Sequence, residues 1–536
     1  MKKLTAILLL GVTLMSTACS FSAQKNDQSI SENGDFPDAY DPDDGKLAEG
    51  TDESPDKSTE GVNASVDELA EGTDESPDKS TQEAEASVDK SAEGSNATDG
   101  ESANSAESTE APDFMKTAVL YEVNLRQYTK SGTMNEFAEH LDTLKDMGIN
   151  TLWFMPIHPI SVTNRSGKLG SYYSVSDYRD VNPEFGTKDD FKALVEKAHD
   201  MGFHVILDWV ANHTGWDNPW ITEHPDWYTH KDGKIISPEN MGWPDVADLN
   251  YDNYDMRKEM IDCMKYWVTE FDVDGFRCDY APGVPVDFWE EARKELDSVK
   301  DIYMIEEDLG GVAESNLNFA FDSNYATKVY ETMLAVAKDG KTADKIKLYI
   351  PKSKNNTFPM YYLDNHDVNS YDRTIAEAFS EEVIPSMYSL IFTLPGVPMI
   401  YSGDEIGYDK AIAFMEKDTI DWEKTGNDYR GLIKDLSALK SGHPSLYSDN
   451  TGDGFEMLDA GNKNIFAYKR AADGEEVICL FNLSKREQAD IDLTGILTGD
   501  ETVLLSGTGT DYTEGGELPG STYTFEPWEF YIISVG

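Results

Sequence analysis

The sequence predicts an α/β protein: a barrel of eight strand–helix units followed by a separate all-β domain. Three observations predict it. From about residue 114 onward, short apolar runs alternate with stretches whose apolar residues recur at helical spacing. Polar and charged residues stand where strand after strand stops. After Gly442 the helical spacing ends and strand-like runs take over.

Residues 1–18 read as a signal peptide: Lys2 and Lys3, an apolar stretch from Leu4 to Met15, then the small residues Ser16, Thr17 and Ala18. The stretch is too short for a comfortable membrane span. Cys19 follows at once, where a bacterial lipoprotein carries its lipidated cysteine, although Ser16 stands where a larger apolar residue is commoner. A diacylated cysteine has more than one chain and anchors stably, so the predicted place is the extracellular face of the cell membrane. Residues 19–112 hold Cys19 and an acidic linker in which LAEGTDESPDKST occurs twice, at Leu47–Thr59 and Leu69–Thr81. The repeat has no apolar face, so it predicts a disordered tether rather than a solenoid.

The barrel is predicted over residues 113–442. Its strands are read at Val119–Leu125, Thr151–Met155, His204–Asp208, Val273–Cys278, Ile302–Ile305, Asn318–Phe321, Met360–Leu363 and Val397–Tyr401. Phe137, Leu141, Leu144 and Met147 illustrate the helical spacing between them. Eight such units make a (β/α)8 TIM barrel, whose active site lies at the C-terminal strand ends. Residues 209–255 enlarge the third unit into a short irregular excursion. It is rich in Trp216, Trp220, Trp227, Tyr228 and Trp243, which either stack on a ligand or form a miniature core. Residues 443–536 predict a β-sandwich, with strands at Asn464–Tyr468, Glu476–Leu483, Glu501–Leu505 and Phe530–Val535. Packing against the barrel is its expected role, ahead of carbohydrate binding.

The formal net charge of −56 is read first as keeping the acidic tail solvated; it also argues against nucleic acid and anionic membrane surfaces as partners, and a neutral ligand such as a sugar fits better. Of the four cysteines, Cys263, Cys278 and Cys479 lie in the body without metal-ligand spacing and are expected buried and reduced. At the strand ends stand Asp208 with Asn212 and His213, Arg277 with Asp279, Glu306 with Glu307, Asn365 with His366 and Asp367, and Asp404 with Glu405. Acids ending several separate strands converge on one mouth.

These residues resemble the α-amylase family of glycoside hydrolases, from about Val119 to the C-terminus. The similar segments are AVLYEVNLRQY, LKDMGINTLWFMPI, GSYYSVSDYRDVNPEFGT, DWVANH, GFRCD, IEED, LDNHD and YSGDEIG. The resemblance implies a retaining enzyme acting on starch, maltodextrin or related α-glucans. Asp279 would be the nucleophile, Glu307 the acid/base and Asp367 the transition-state stabiliser. Tyr173, His213, Arg277, Asn365 and His366 would line the subsite of the attacked sugar, and Asp208 would orient Arg277 or the sugar. Asn212 matches a calcium ligand of the family; calcium is otherwise not required by the chemistry. Two departures stand out. The family often has Lys-His after the nucleophile, where this chain has Tyr280, Ala281, Pro282 and Gly283, and Ser370 stands where an Arg is common. A transglycosylase or isomerase on the same barrel, and a lipoprotein that captures glucans without cleaving them, are the competing readings.

The chemistry explains the residue types. Retaining glycosidases place two carboxyl groups about 5–5.5 Å apart. Asp279 must be ionised, and Arg277, two residues earlier on the same strand face, is expected to hold its pKa low. Glu307 must carry a proton for the leaving oxygen, which negative neighbours favour. Glu306 and Glu307 are consecutive and face opposite sides, so one of them is the acid/base, and the family pattern selects Glu307.

Overall fold

Eight short strands pair side by side, all parallel, and close on themselves in chain order: β1 (Leu120–Val123), β2 (Thr151–Phe154), β3 (His204–Trp209), β4 (Gly275–Cys278), β5 (Tyr303–Glu306), β6 (Ser323–Tyr325), β7 (Phe358–Tyr361) and β8 (Val397–Tyr401). The structure is a computed structural model that describes residues 111–308, 320–351, 358–424 and 426–536. The signal peptide, Cys19 and nearly all of the acidic linker lie outside the described residues.

The strands read as continuous apolar runs because both of their faces are covered, as in other all-parallel sheets. Every residue of β1, β2, β4 and β5 is buried. Gly275 opens β4 for a steric reason: a Cβ there would lie 1.9 Å from the Tyr303 carbonyl oxygen of β5. The sixth strand departs from expectation. It forms at Ser323–Tyr325, after the predicted Asn318–Phe321, of which 318 and 319 lie outside the described residues. Its sequence, Ser-Asn-Tyr, carries no apolar pattern, because Tyr325 points its hydroxyl at a buried arginine inside the barrel. Phe321 is buried just ahead of the strand. The seventh strand starts at Phe358, two residues before the predicted Met360.

The larger barrel helices are α1 (Lys188–Asp200), α2 (Tyr254–Phe271), α3 (Val286–Asp297), α4 (Thr327–Asp339), α5 (Ile384–Thr393) and α6 (Arg430–Gly442). Local chemistry sets their ends. Thr187 and Asp190 form a reciprocal capping box at the start of α1. Asn253 accepts from the Asp255 and Met256 amides at the start of α2, and Asp272 ends it in the left-handed region at φ 57°. The predicted helix around Phe137–Met147 is broken into short turns, but Phe137, Leu141, Leu144 and Met147 are all buried.

Between β3 and α2 the excursion folds on two small ribbons, His213–Gly215 with Val246–Asp248 and His230–Lys231 with Lys234–Ile235. Most of its aromatics form a miniature core. Trp227 and Tyr228 are buried, Trp220 packs on Tyr178 and Trp227, and the Trp216 indole donates to the Pro244 carbonyl. Trp243 differs: its ring lies 5.5 Å from His213 and 5.6 Å from Tyr280.

The strands after α6 are β9 (Phe455–Leu458), β10 (Ile465–Ala472), β11 (Glu475–Asn482), β12 (Gln488–Asp492), β13 (Thr502–Thr508), β14 (Asp511–Glu514), β15 (Thr522–Phe525) and β16 (Phe530–Val535). Six form one antiparallel sheet in the order β9-β10-β11-β16-β13-β14, and β12 pairs with β15. Alternation splits the large sheet between two cores. Ala467, Leu480 and Ile533 face Ile491 and Phe525 of the small sheet. Tyr468, Cys479, Phe481 and Ile532 join the barrel core instead. Arg470 locks that contact, donating at 2.7 Å to the carbonyl of Thr393, the last residue of α5. Cys263, Cys278 and Cys479 are buried free thiols. Among the described residues no helix is long and apolar enough to cross a membrane.

Candidate active site

Arg277 organises the mouth. It sits on β4 with no exposed side-chain surface. One terminal nitrogen contacts Asp208 Oδ1 at 2.9 Å and Asp279 Oδ1 at 3.1 Å. The other contacts Glu307 Oε1 at 2.8 Å. Its Nε donates to the Tyr325 hydroxyl at 3.1 Å. Three carboxylates from β3 and from the residues following β4 and β5 thus share one guanidinium. Trp153, Tyr173 and Tyr325 pack their rings around it, 5.3–5.7 Å from the carbon centre.

The backbone sets these positions. The Asp279 amide donates to the Trp209 carbonyl of β3, and the Glu307 amide donates to the Cys278 carbonyl of β4. Each acid is therefore registered against the neighbouring strand. Glu307 Oε2 also accepts the Tyr280 amide at 2.7 Å, and Tyr280 takes a left-handed backbone (φ 42°). Glu306 stays within β5 and is fully buried, so of the two consecutive glutamates it is Glu307 that reaches Arg277. Side-chain exposure rises from 0% at Asp208 to 7% at Glu307, 13% at Asp279 and 30% at Asp367, which places the last three at the opening.

A second chain of contacts enters from the other side. Tyr173 donates to Asp208 Oδ2 at 3.0 Å and lies 2.8 Å from His366 Nε2. His366 Nδ1 is bonded to Glu122 of β1, and its Nε2 lies 3.5 Å from Asp367 Oδ2. Phe414 stacks on both Tyr173 and His366. His213 meets the same chain at the Tyr173 backbone, with Asn212 beside its Nδ1 and Trp243 near its ring.

The electrostatics correct one expectation. Arg277 does not hold Asp279 low. Burial pushes Asp279 well above the carboxylate range, the neighbouring Glu307 carboxylate adds to that, and Arg277 only partly opposes it. Burial likewise pushes Asp208 up to about 6 against the pull of Arg277. Burial lowers His213 to about 4, which keeps it neutral. It also pulls His366 down, but the Asp367 and Glu122 carboxylates outweigh it and raise this ring to about 9.

Two strand-end residues brace their neighbours. Asn365 is buried, and its side-chain oxygen accepts the Val368 amide, so it caps the turn after β7. Glu405 accepts the Tyr121 hydroxyl at 2.6 Å and the Gly403 amide. Among the described residues no cluster of three His, Cys, Asp or Glu side chains is arranged to hold a metal ion, and the Asn212 side-chain nitrogen lies 3.2 Å from His213 Nδ1. A Cβ on Gly283 would lie 2.5 Å from Asn212 Oδ1 and 2.4 Å from the Tyr280 ring, so the segment replacing Lys-His is packed tight. Sequence reasoning missed Glu122, Trp153, Tyr325 and Phe414. Only Glu122 left a signal, as a lone acid inside the apolar run Leu-Tyr-Glu-Val.

Fold and site together define a (β/α)8 enzyme whose acids converge at the C-terminal mouth of the barrel. The α-amylase catalytic-domain profile matches residues 93–460, and the maltogenic amylase C-terminal-domain profile matches residues 455–532. The chain belongs to the α-amylase family. It is 26% identical over 421 residues to the α-amylase MalA of Haloarcula japonica, a match covering 74% of this chain and 59% of that protein. Among solved structures, an α-amylase from Lactobacillus plantarum is 29% identical with a TM-score of 0.68, covering 79% of this chain and 99% of the other. A maltogenic α-amylase of Thermotoga neapolitana is also 29% identical, with a TM-score of 0.67 over 78% of this chain and 99% of the other.

Proposed function

We propose that the chain is an extracellular, lipid-anchored α-glucan hydrolase of the retaining type. The observation that carries this reading is the Arg277 clamp, with Asp279 and Glu307 on the two terminal nitrogens of one guanidinium. Ion-paired to one guanidinium, the two carboxyl groups are close neighbours, which supports the retaining chemistry in which such groups stand about 5–5.5 Å apart.

In this reading Asp279 attacks the anomeric carbon while Glu307 gives its proton to the departing glycosidic oxygen. The bond to that oxygen breaks as the bond to Asp279 forms. Glu307, now a carboxylate, takes a proton from water, whose oxygen attacks the same carbon and releases Asp279. Asp367, at the opening, stabilises the positive charge developing on the sugar. Neutral His213 and the Tyr173–His366 pair hold its hydroxyls. No metal is assigned a step. Cys19 carries the anchor, and the acidic linker spaces the enzyme from the membrane. An acylated N-terminal Cys19 peptide in the mass spectrum of the membrane fraction supports the anchor, and an unmodified one refutes it.

The test of the chemistry uses maltooligosaccharides and starch. Glu307→Gln is expected to cost about a hundred- to ten-thousand-fold in kcat, with folding and sugar binding kept. If Glu306→Gln does this while Glu307→Gln stays active, the assignment is wrong. Binding without any cleavage by the unaltered protein returns the glucan-capture reading.

A further inference from the structure

We propose that Glu122 is a positioning residue for the reacting-sugar subsite, fixing His366 as a doubly protonated imidazolium whose Nε2–H faces the mouth. The inference rests on the reading of the site given above and adds a residue and a protonation state to it.

Hydrogen-bond direction carries the argument. Asp208 accepts from Arg277 at one oxygen, and from the Trp153 indole (3.2 Å) and the Tyr173 hydroxyl (3.0 Å) at the other. All of its contacts are donors, so it is a carboxylate. Tyr173 has a single hydroxyl proton, and that proton goes to Asp208. The Tyr173 oxygen can therefore only accept from His366 Nε2, which lies 2.8 Å away, so Nε2 carries a proton. At the other end of the ring, Nδ1 is bonded to Glu122 Oε1. Glu122 has no exposed surface, and its second carboxylate oxygen is buried without a hydrogen-bond partner. Among the described residues its one side-chain hydrogen-bond partner is His366. A buried carboxylate is tolerated when a cation faces it, and an Nδ1–H supplies both the proton and the charge. Acceptors at both ends leave the ring holding two protons.

The other groups facing the ring agree in balance. Asp367 lies beside Nε2, and Asp208 acts through Tyr173; both favour the cation. Arg277, from β4, opposes it. Trp153 and Phe414 pack on the ring without charge. The ring's rise to about 9 follows from these neighbours.

The test is a titration of His366 in the full chain with isotope-labelled histidine, read by NMR and assigned through a His366→Asn variant. The unaltered protein is expected to titrate near 9. Glu122→Gln keeps an oxygen that can accept from Nδ1–H but removes the charge. Its His366 midpoint is expected to fall by about one unit or more, and the alkaline limb of kcat/KM to move down by the same amount. Glu122→Asp, which restores the charge, is expected to recover part of both shifts. An unchanged midpoint in Glu122→Gln overturns the proposal. If that variant does not fold, a midpoint in the unaltered protein at or below the ordinary value of about 6.5 overturns it instead. The titration needs no turnover, so an inactive protein with a high His366 midpoint refutes the hydrolase reading and leaves this assignment standing.

Discussion

Arg277→Met separates the structural role of the guanidinium from its chemistry. Arg277 is fully buried and contacts Asp208, Asp279 and Glu307, whose side chains are 0%, 13% and 7% exposed. Met fills much of the volume but leaves these acids without their cation. Removing one partner of a buried ion pair costs about 3–5 kcal/mol. The cost takes a particular form with pH. With Arg277 present, Asp208 already lies near 6, above its unfolded value of about 3.9. Without Arg277 it rises further. The folded variant then holds a proton that the unfolded chain has released, so its stability increases as pH falls through the raised folded value and levels off near the unfolded one. In that window the gain is about 1.4 kcal/mol per pH unit for each acid that binds a proton. Urea unfolding of both proteins at pH 8 and pH 5 measures it. The variant is expected to be weaker by about 3–5 kcal/mol at pH 8 and to recover much of the deficit at pH 5. A deficit below about 1 kcal/mol that does not change with pH refutes the reasoning, because the acids would then have found solvent or another cation.

At the opposite end of the barrel, burial pushes Asp274 up, but hydrogen bonds from His199, His204 and Lys300 hold it well below the carboxylate range. Asp274→Asn is expected to cost about 3–5 kcal/mol at neutral pH, with the gap to the unaltered protein narrowing below about pH 4, where Asp274 takes up a proton in the unfolded chain but not in the fold; thermal denaturation across pH checks both. Gly275→Ala drives a Cβ to 1.9 Å from a backbone oxygen and is expected to exceed the roughly 1–3 kcal/mol of ordinary overpacking. Gly495→Ala, with nothing within 4 Å, is the control that unfolds like the parent. Dialysis against a chelator is expected to leave maltooligosaccharide cleavage unchanged, and a loss restored by calcium refutes the metal-free chemistry.

The site was legible where function interrupts a strand. Asp208, Asp279, Glu307 and Asp367 each stand at or within four residues of the end of an apolar run, and a run of Val, Ile and Phe has no local reason to end in acid. The signal that Glu122 left was ambiguous, because an acid inside a four-residue strand reads as solvent-facing alternation until the sheet closes and turns that face inward. β6 was misplaced for the same reason: Ser-Asn-Tyr is a buried strand only because its partners are a charged interior and the neighbouring strands. Asn365 carries a duty that spacing does not show: its oxygen accepts the Val368 amide of the following turn. The direction of the Asp279 shift was beyond sequence as well. Proximity to Arg277 can be read from spacing; burial, and Glu307 on the same guanidinium, cannot.

That misjudged shift bears on the proposed mechanism. Five carboxyl groups converge at the mouth: Glu122, Asp208, Asp279, Glu307 and Asp367. Two cations meet them, Arg277 touching three and His366 the other two. The site is thus short of positive charge, and burial together with this shortage is what raises Asp279. An oxocarbenium-like sugar supplies the missing charge at the transition state. The carboxylates are already fixed by β3, by the residues following β4 and β5, and by Arg277, so they need no rearrangement when that charge appears. A guanidinium that neutralised Asp279 fully would hold the nucleophile ionised but cancel the field the sugar needs. Sharing Arg277 among three acids, and giving Glu122 to His366, leaves the excess directed at the reacting carbon.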